Sequence, residues 1–84
     1  MFYVYVLRSS VDGNLYIGQT SDLEKRVALH NEGRIRSTSR RCPLELVHVE
    51  EYETRGEAIK RERFLKSIKG RDFKRALRES KQGL

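Results

Sequence analysis

Cysteine is nearly missing from this chain. Cys42 stands alone among 84 residues, so no disulfide can form within the chain and a scaffold stapled by disulfides is excluded. With His30 and His48 it makes a poor zinc set, because a structural zinc site needs four ligands in paired spacings. Cys42 is therefore expected to pack or to sit in a loop. Long apolar runs are missing as well. Arg8 interrupts the first one after a few residues, which argues against a secretory leader, and no run reaches the length of a membrane span. Internal repeats and low-complexity tracts are absent. The expectation is a cytoplasmic protein with no membrane partner.

What is present is polar but foldable, with 37% hydrophobic and 36% charged residues. A chain of this length makes one domain, expected over residues 1–84, and a few large side chains must carry its core. The net charge of +6 is unevenly spread. Residues 1–59 balance at −1, with eight Lys/Arg against nine acids, whereas residues 60–81 reach +7, with ten against three. A cationic end on a near-neutral body suits a polyanion, because clustered positive charge releases the counterions of phosphates. Anionic lipid or an acidic protein would suit it too.

The segment Phe2 to Leu7 is aromatic and β-branched, Asp12-Gly13 is a turn signal, and Leu15 to Gly18 resumes the strand pattern, so a hairpin is expected. Alternation sets Tyr3, Tyr5 and Leu7 on one face and Phe2, Val4 and Val6 on the other. Tyr16 then falls opposite or diagonal to Tyr5. Ser21-Asp22-Leu23-Glu24 reads as a capping box opening a helix that Gly33 ends. Residues 33–43, basic and rich in hydroxyls, read as a surface loop closed by Pro43. A third strand over 44–52 places Val47 and Val49 on one face and Leu46, His48 and Tyr52 on the other. His48 is expected to pack or hydrogen-bond within the sheet. Thr54 to Glu57 forms a second capping box, opening a helix terminated by Gly70. Phe73, Ala76 and Leu77 mark a last amphipathic helix within a basic segment, 70–82. The fold class is α/β (α+β): a small three-stranded antiparallel sheet flanked by helices, in the order β-β-α-β-α-α.

Two helices carry polar residues on stripes that should be apolar. Leu23, Arg26, Val27 and His30 share one face of the first. Glu62 interrupts the inward line of Ala58 and Leu65 in the later helix, and a buried carboxylate needs a cation or a metal. An ion pair with Lys66 at i+4 would satisfy it. Each feature alone has an ordinary structural explanation. Their convergence with two hairpin tyrosines does not.

These residues resemble the GIY-YIG endonuclease superfamily. Tyr3-Val4-Tyr5 is similar to its first motif, Tyr16-Ile17-Gly18 is its second, and Arg26 falls at the arginine of the following helix. "RVALHNEG" resembles the Arg-to-His-Asn-Gly stretch of several members, and "EAIKRERFLK" resembles the segment bearing the family glutamate, at Glu62. The resemblance runs from Phe2 to about Leu77 and is closest to the small stand-alone bacterial members. Tyr3 stands where the first motif usually has glycine, and Gln19 follows the second motif where some members have lysine.

The resemblance implies a DNA endonuclease, with RNA not excluded, and the small basic surface argues for selection by structure rather than by sequence. It implies one Mg²⁺ or Mn²⁺ on Glu62, to polarise the phosphate and stabilise the leaving alkoxide, and Arg26 on the non-bridging oxygens. Tyr16 would orient or deprotonate the water with Tyr5 beside it, and His30 is the alternative proton acceptor. Phosphate contacts are expected from Arg34, Arg36, Arg40, Arg41, Lys66, Lys69, Arg71, Lys74 and Arg75. Two rivals stay open. One is a binding module that holds nucleic acid without cutting it, and the other is an adaptor docking an acidic partner on residues 70–84.

Overall fold

The computed structural model describes residues 1–79. Strands β1 (Phe2–Ser9), β2 (Leu15–Thr20) and β3 (Leu44–Tyr52) form one antiparallel sheet in the order β2-β1-β3. Helix α1 (Leu23–Asn31) lies between β2 and β3 in sequence, and α2 (Arg55–Lys66) and α3 (Arg71–Glu79) follow β3. The expected α+β class and element order are both observed. Of the basic segment 70–82, positions 80–82 lie outside the described residues.

Alternation along β1 divides the interior in two. Val4 and Val6 join Ile17, Val47, Ala58 and Leu65 beneath α2 and α3, with Phe73 and Leu77 packed against them. Tyr5 and Leu7 join Leu44 on the opposite face, where α1 contributes Leu23 and Val27. Val4, Val6 and Leu65 are fully buried, and each such side chain contributes about 1.5–3 kcal/mol. No helix among the described residues is long and apolar enough to cross a membrane.

The faces of β3 depart from strict alternation. Val6 pairs with His48 but Leu7 pairs with Leu46, so Val47 is an extra, bulged residue. Val47, His48 and Tyr52 consequently lie on the α2 face, while Leu46 joins the Tyr5 face and Val49 pairs with Tyr5. The expected grouping of Val47 with Val49, and of Leu46 with His48 and Tyr52, is corrected by this single insertion.

Helix ends also differ from expectation. Asp22 caps α1, its carboxylate accepting from the Lys25 amide at 3.2 Å, so the cap is one residue beyond Ser21. At the other end Gly33 N–H donates to the His30 carbonyl and Arg34 N–H to the Leu29 carbonyl, the paired bonds of a Schellman motif. The Thr54–Glu57 capping box is present. Helix α2 ends at Lys66, before Gly70, which closes a 3-10 turn over Ile68–Gly70. A side chain on Gly70 would meet Leu65 and Phe64 backbone atoms at 2.8 Å, so its smallness lets α3 turn back tightly. Ala76, expected on the inner face of α3, is exposed.

The basic segment 33–43 is not wholly a surface loop. It contains a 3-10 turn, Arg36–Thr38, and Thr38 is fully buried. Nearby, the Asn31 carboxamide imitates a strand, donating to the Leu44 carbonyl at 3.0 Å and accepting from the Leu44 amide at 2.7 Å. This pair ties the end of α1 to the start of β3.

Candidate active site

Tyr5 and Tyr16 lie diagonally across the hairpin, because Tyr5 pairs with Gly18 and Tyr16 with Leu7. Their ring centroids are 6.3 Å apart. Tyr5 is only 1% exposed, and its ring lies over Gly18. A Cβ at that position would fall 2.5 Å from the phenol oxygen and 2.6 Å from its ring carbon. The glycine of Tyr16-Ile17-Gly18 is therefore a cradle for the Tyr5 ring, and the two motifs are complementary parts of one packing unit.

Helix α1 brings two polar side chains onto this ring. The His30 imidazole meets the Tyr16 ring edge-on at 4.8 Å and is itself fully buried. A hydrogen-bond chain runs through both ring nitrogens, and its direction is assigned from the outermost partner, the Ile35 carbonyl. The Thr38 hydroxyl donates to the Ile35 carbonyl at 3.4 Å and accepts from His30 Nδ1–H at 2.8 Å. Nε2 is then left to accept from the Tyr5 hydroxyl at 3.0 Å, while the Tyr5 oxygen accepts from Arg26 Nε–H at 3.4 Å. The nearby Tyr16 phenol also favours the charged form of Arg26. The Cys42 thiol donates to the His30 carbonyl at 3.0 Å, so it packs beside the site without joining the chain.

The electrostatics follow from burial and from one cation. Burial, and then the Arg26 charge, push the His30 imidazole below its ordinary 6.5, which favours the neutral, accepting form. Burial raises the Tyr5 phenol above its ordinary 10.0, with Arg26 opposing and the charges of Tyr16 and Glu62 adding to the rise. The hydrogen bond to Tyr5 holds Arg26 firmly protonated against the effect of burial. Among the described residues no ion pair joins Arg26 to a carboxylate.

Glu62 comes from α2, which packs against β2 and β1 on the other face, yet its charge is felt at Tyr5 around the edge strand. Its side chain is 20% exposed and accepts from Lys66 Nζ at 2.8 Å. No group of three or more His, Cys, Asp or Glu side chains among the described residues is placed to hold a metal. One carboxylate completed by waters and substrate phosphate is nevertheless the ligand set that Mg²⁺ commonly takes. Gln19, paired with Val4 and so facing α2, has a buried side-chain oxygen without a hydrogen-bond donor. That oxygen suits a water or a hard cation on the same face.

The expected basic set is only partly gathered here. Lys66 and Lys74 line a depression of about 260 Å³ with Tyr16, Leu15, Ile17 and Arg78. Arg36 and Arg40 lie two residues to either side of the buried Thr38, and both are exposed. Arg34 pairs with Glu32 at 3.1 Å, Arg41 with Asp12 at 3.4 Å and Arg75 with Asp72 at 3.8 Å. Lys69 lines a different depression, and Arg71 opens α3. Sequence reasoning missed Thr38, hidden in a segment that reads as solvated loop, and Arg78, whose helical spacing from Lys74 was the available signal.

Comparison with known proteins agrees with this geometry. The GIY-YIG catalytic domain profile matches residues 1–76. A UPF0213 protein of Staphylococcus saprophyticus is 41% identical over 67 residues, covering 79% of this chain and 80% of its own. One from Staphylococcus aureus is 40% identical over 78 residues, covering 92% and 94%. Another from Haloquadratum walsbyi is 46% identical over 66 residues, covering 77% and 73%. No solved structure gave a significant match. Two phenols, a guanidinium and an imidazole held in contact by the motif residues, together with a profile spanning nearly the whole chain, place this protein in the GIY-YIG catalytic-domain family.

Proposed function

We propose that this protein is a metal-dependent endonuclease, acting as a single domain of residues 1–84, that hydrolyses phosphodiester bonds in DNA and selects substrates by structure rather than sequence. Family membership points to nuclease chemistry. The observation that carries the reading further is Arg26, a cation bonded to the Tyr5 phenol beside Tyr16 and, among the described residues, paired with no carboxylate. Such a guanidinium is preorganised for an anion whose charge grows in the transition state.

Glu62 would hold one Mg²⁺ or Mn²⁺. When bound, the ion supplies Lewis-acid stabilisation of the phosphate and of the departing oxygen. The chain's own residues do the rest. Arg26 neutralises the non-bridging oxygens, and Lys66, Lys74 and Arg78 hold the flanking phosphates. Tyr16, half-buried on that depression, orients the attacking water. The water's proton passes to the Tyr5 oxygen as the Tyr5 proton passes to His30 Nε2, so a phenol that is hard to ionise never has to carry a full charge. His30 therefore acts through Tyr5 rather than on water directly.

The test uses end-labelled duplex, nicked, flapped and branched DNA with Mg²⁺, Mn²⁺ or EDTA. Wild-type protein is expected to cut with either metal and not with EDTA, and Glu62→Gln is expected to bind without cutting. Binding without scission by the wild type, in both metals and on every structure, would instead select the non-catalytic module.

A further inference from the structure

Beyond the Tyr16 depression, the outer side of α2 breaks the pattern of a solvated surface. Phe64 is 39% exposed and Ile68, in the turn that follows, is 84% exposed. With Ser67 they line a second depression of about 740 Å³, whose other walls are Lys60, Arg63 and Lys69. None of these lining residues is acidic. Single exposed apolar side chains are ordinary, but two in one depression walled by three cations ask for a particular occupant. It must offer an apolar face and negative charge together. A second copy of the chain would bring like charge to like charge, which disfavours it. A nucleotide meets both demands, since every base has a face that stacks on apolar and aromatic side chains and every linkage carries a phosphate. The Arg61 guanidinium lies 5.2 Å from the Phe64 ring centroid and bonds Glu50, which steadies the ring from the sheet side. Continuity supports the same occupant. Lys66 lines the Tyr16 depression while its neighbour Ser67 lines this one, so a strand crossing the end of α2 passes from one to the other.

We propose that Phe64 and Ile68 form a stacking platform for an unpaired base, with Lys60, Arg63 and Lys69 on its phosphates, so that the preferred DNA carries a single-stranded arm beside a duplex. This rests on the nucleic-acid reading above and names its substrate class. The test is binding, measured by fluorescence anisotropy in EDTA so that no cutting intervenes. It compares a paired duplex with the same duplex bearing a short thymidine arm. The armed DNA is expected to bind about fivefold tighter or more. Ile68→Ser and Phe64→Ser should erase that advantage while leaving duplex affinity unchanged, and Ile68→Ser, at a side chain 84% exposed, should leave thermal stability unchanged as well. Lys60→Gln should weaken the armed DNA and lower its salt slope by about one while leaving the paired duplex unchanged. Equal affinity for the two DNAs, or an advantage that survives both serine variants, overturns the proposal. So does Ile68-dependent binding to phosphatidylglycerol vesicles, or an Ile68-dependent dimer, without any preference for the arm. Failure to bind any DNA removes the nucleic-acid reading itself. An arm preference without metal-dependent scission removes only the nuclease.

Discussion

The two faces of the sheet carry polar clusters made from the same residue types, and one carboxylate separates them. On the α2 face Glu50 accepts from Arg61 through both oxygens at 2.8 and 3.0 Å, from Tyr52 at 2.6 Å, and meets His48 at 2.8 Å. Phe73 packs edge-on against the His48 ring at 4.8 Å, so the cluster pins α2 and α3 to the sheet. On the α1 face tyrosine, arginine and histidine again meet, with no acid among them. The first arrangement satisfies its charges internally and serves the fold. The second leaves Arg26 uncompensated, which is a stability cost unless an anion is meant to arrive. The contrast teaches that residue type does not separate the two clusters; charge pairing does.

The strongest way to break this contrast is to remove each arginine in turn. Arg26→Ala is expected to lower single-turnover cleavage by about 10²–10³-fold with little change in fold stability. Arg61→Ala should do the opposite, losing about 1–3 kcal/mol of unfolding free energy while folded molecules still cut. Equal effects on both measurements would erase the distinction. Next in size is Gly18→Ala, whose Cβ would press on the buried Tyr5 ring. It should cost about 1–3 kcal/mol in denaturant unfolding and lower the cleavage rate as well.

Acid sharpens the comparison, because the clusters lose their native protonation in different windows. Burial works against the charged Glu50 carboxylate, yet bonds from Arg61, Tyr52 and His48 outweigh it and bring it from 4.5 to about 2. A depressed acid stabilises the fold fully above its unfolded value. Up to about 3 kcal/mol should then be lost as pH falls from about 4.5 toward 2, and Glu50→Gln should flatten that limb of the unfolding profile. His30, depressed from 6.5, contributes stability present above 6.5 and lost as pH falls through its lower folded value. The cleavage rate should fall in that same lower window, because only neutral Nε2 accepts the Tyr5 proton. The smallest expected effect is Lys74→Gln, a drop of about one in the slope of log affinity against log salt, read from binding titrations.

Local patterning made much of this legible in the sequence. The period of two along β1 assigned Val4 and Tyr5 to opposite interiors, and helical spacing put Arg26 and His30 on the stripe with Val27. Non-local geometry was not legible. A bulge at Val47 depends on how β3 meets β1, and nothing within β3 announces it. Thr38 reads as loop because its partner, His30, is supplied by another element. The ion pair of Glu62 with Lys66 was visible at i+4, whereas its influence on Tyr5 required knowing that α2 lies against the edge strand. Asn31 stands out in the sequence only within the string RVALHNEG, though it fastens α1 to Leu44.

In the proposed mechanism, the burial of His30 would set a condition on turnover. With one nitrogen committed to Thr38 and no surface open to water, an imidazolium formed there has a single exit, back through the phenol that loaded it. The enzyme would then reset by running its entry route in reverse, and only after the cleaved end has moved away to let water discharge the phenol. Recovery between cycles would be governed by departure of the product rather than by the breaking of the bond.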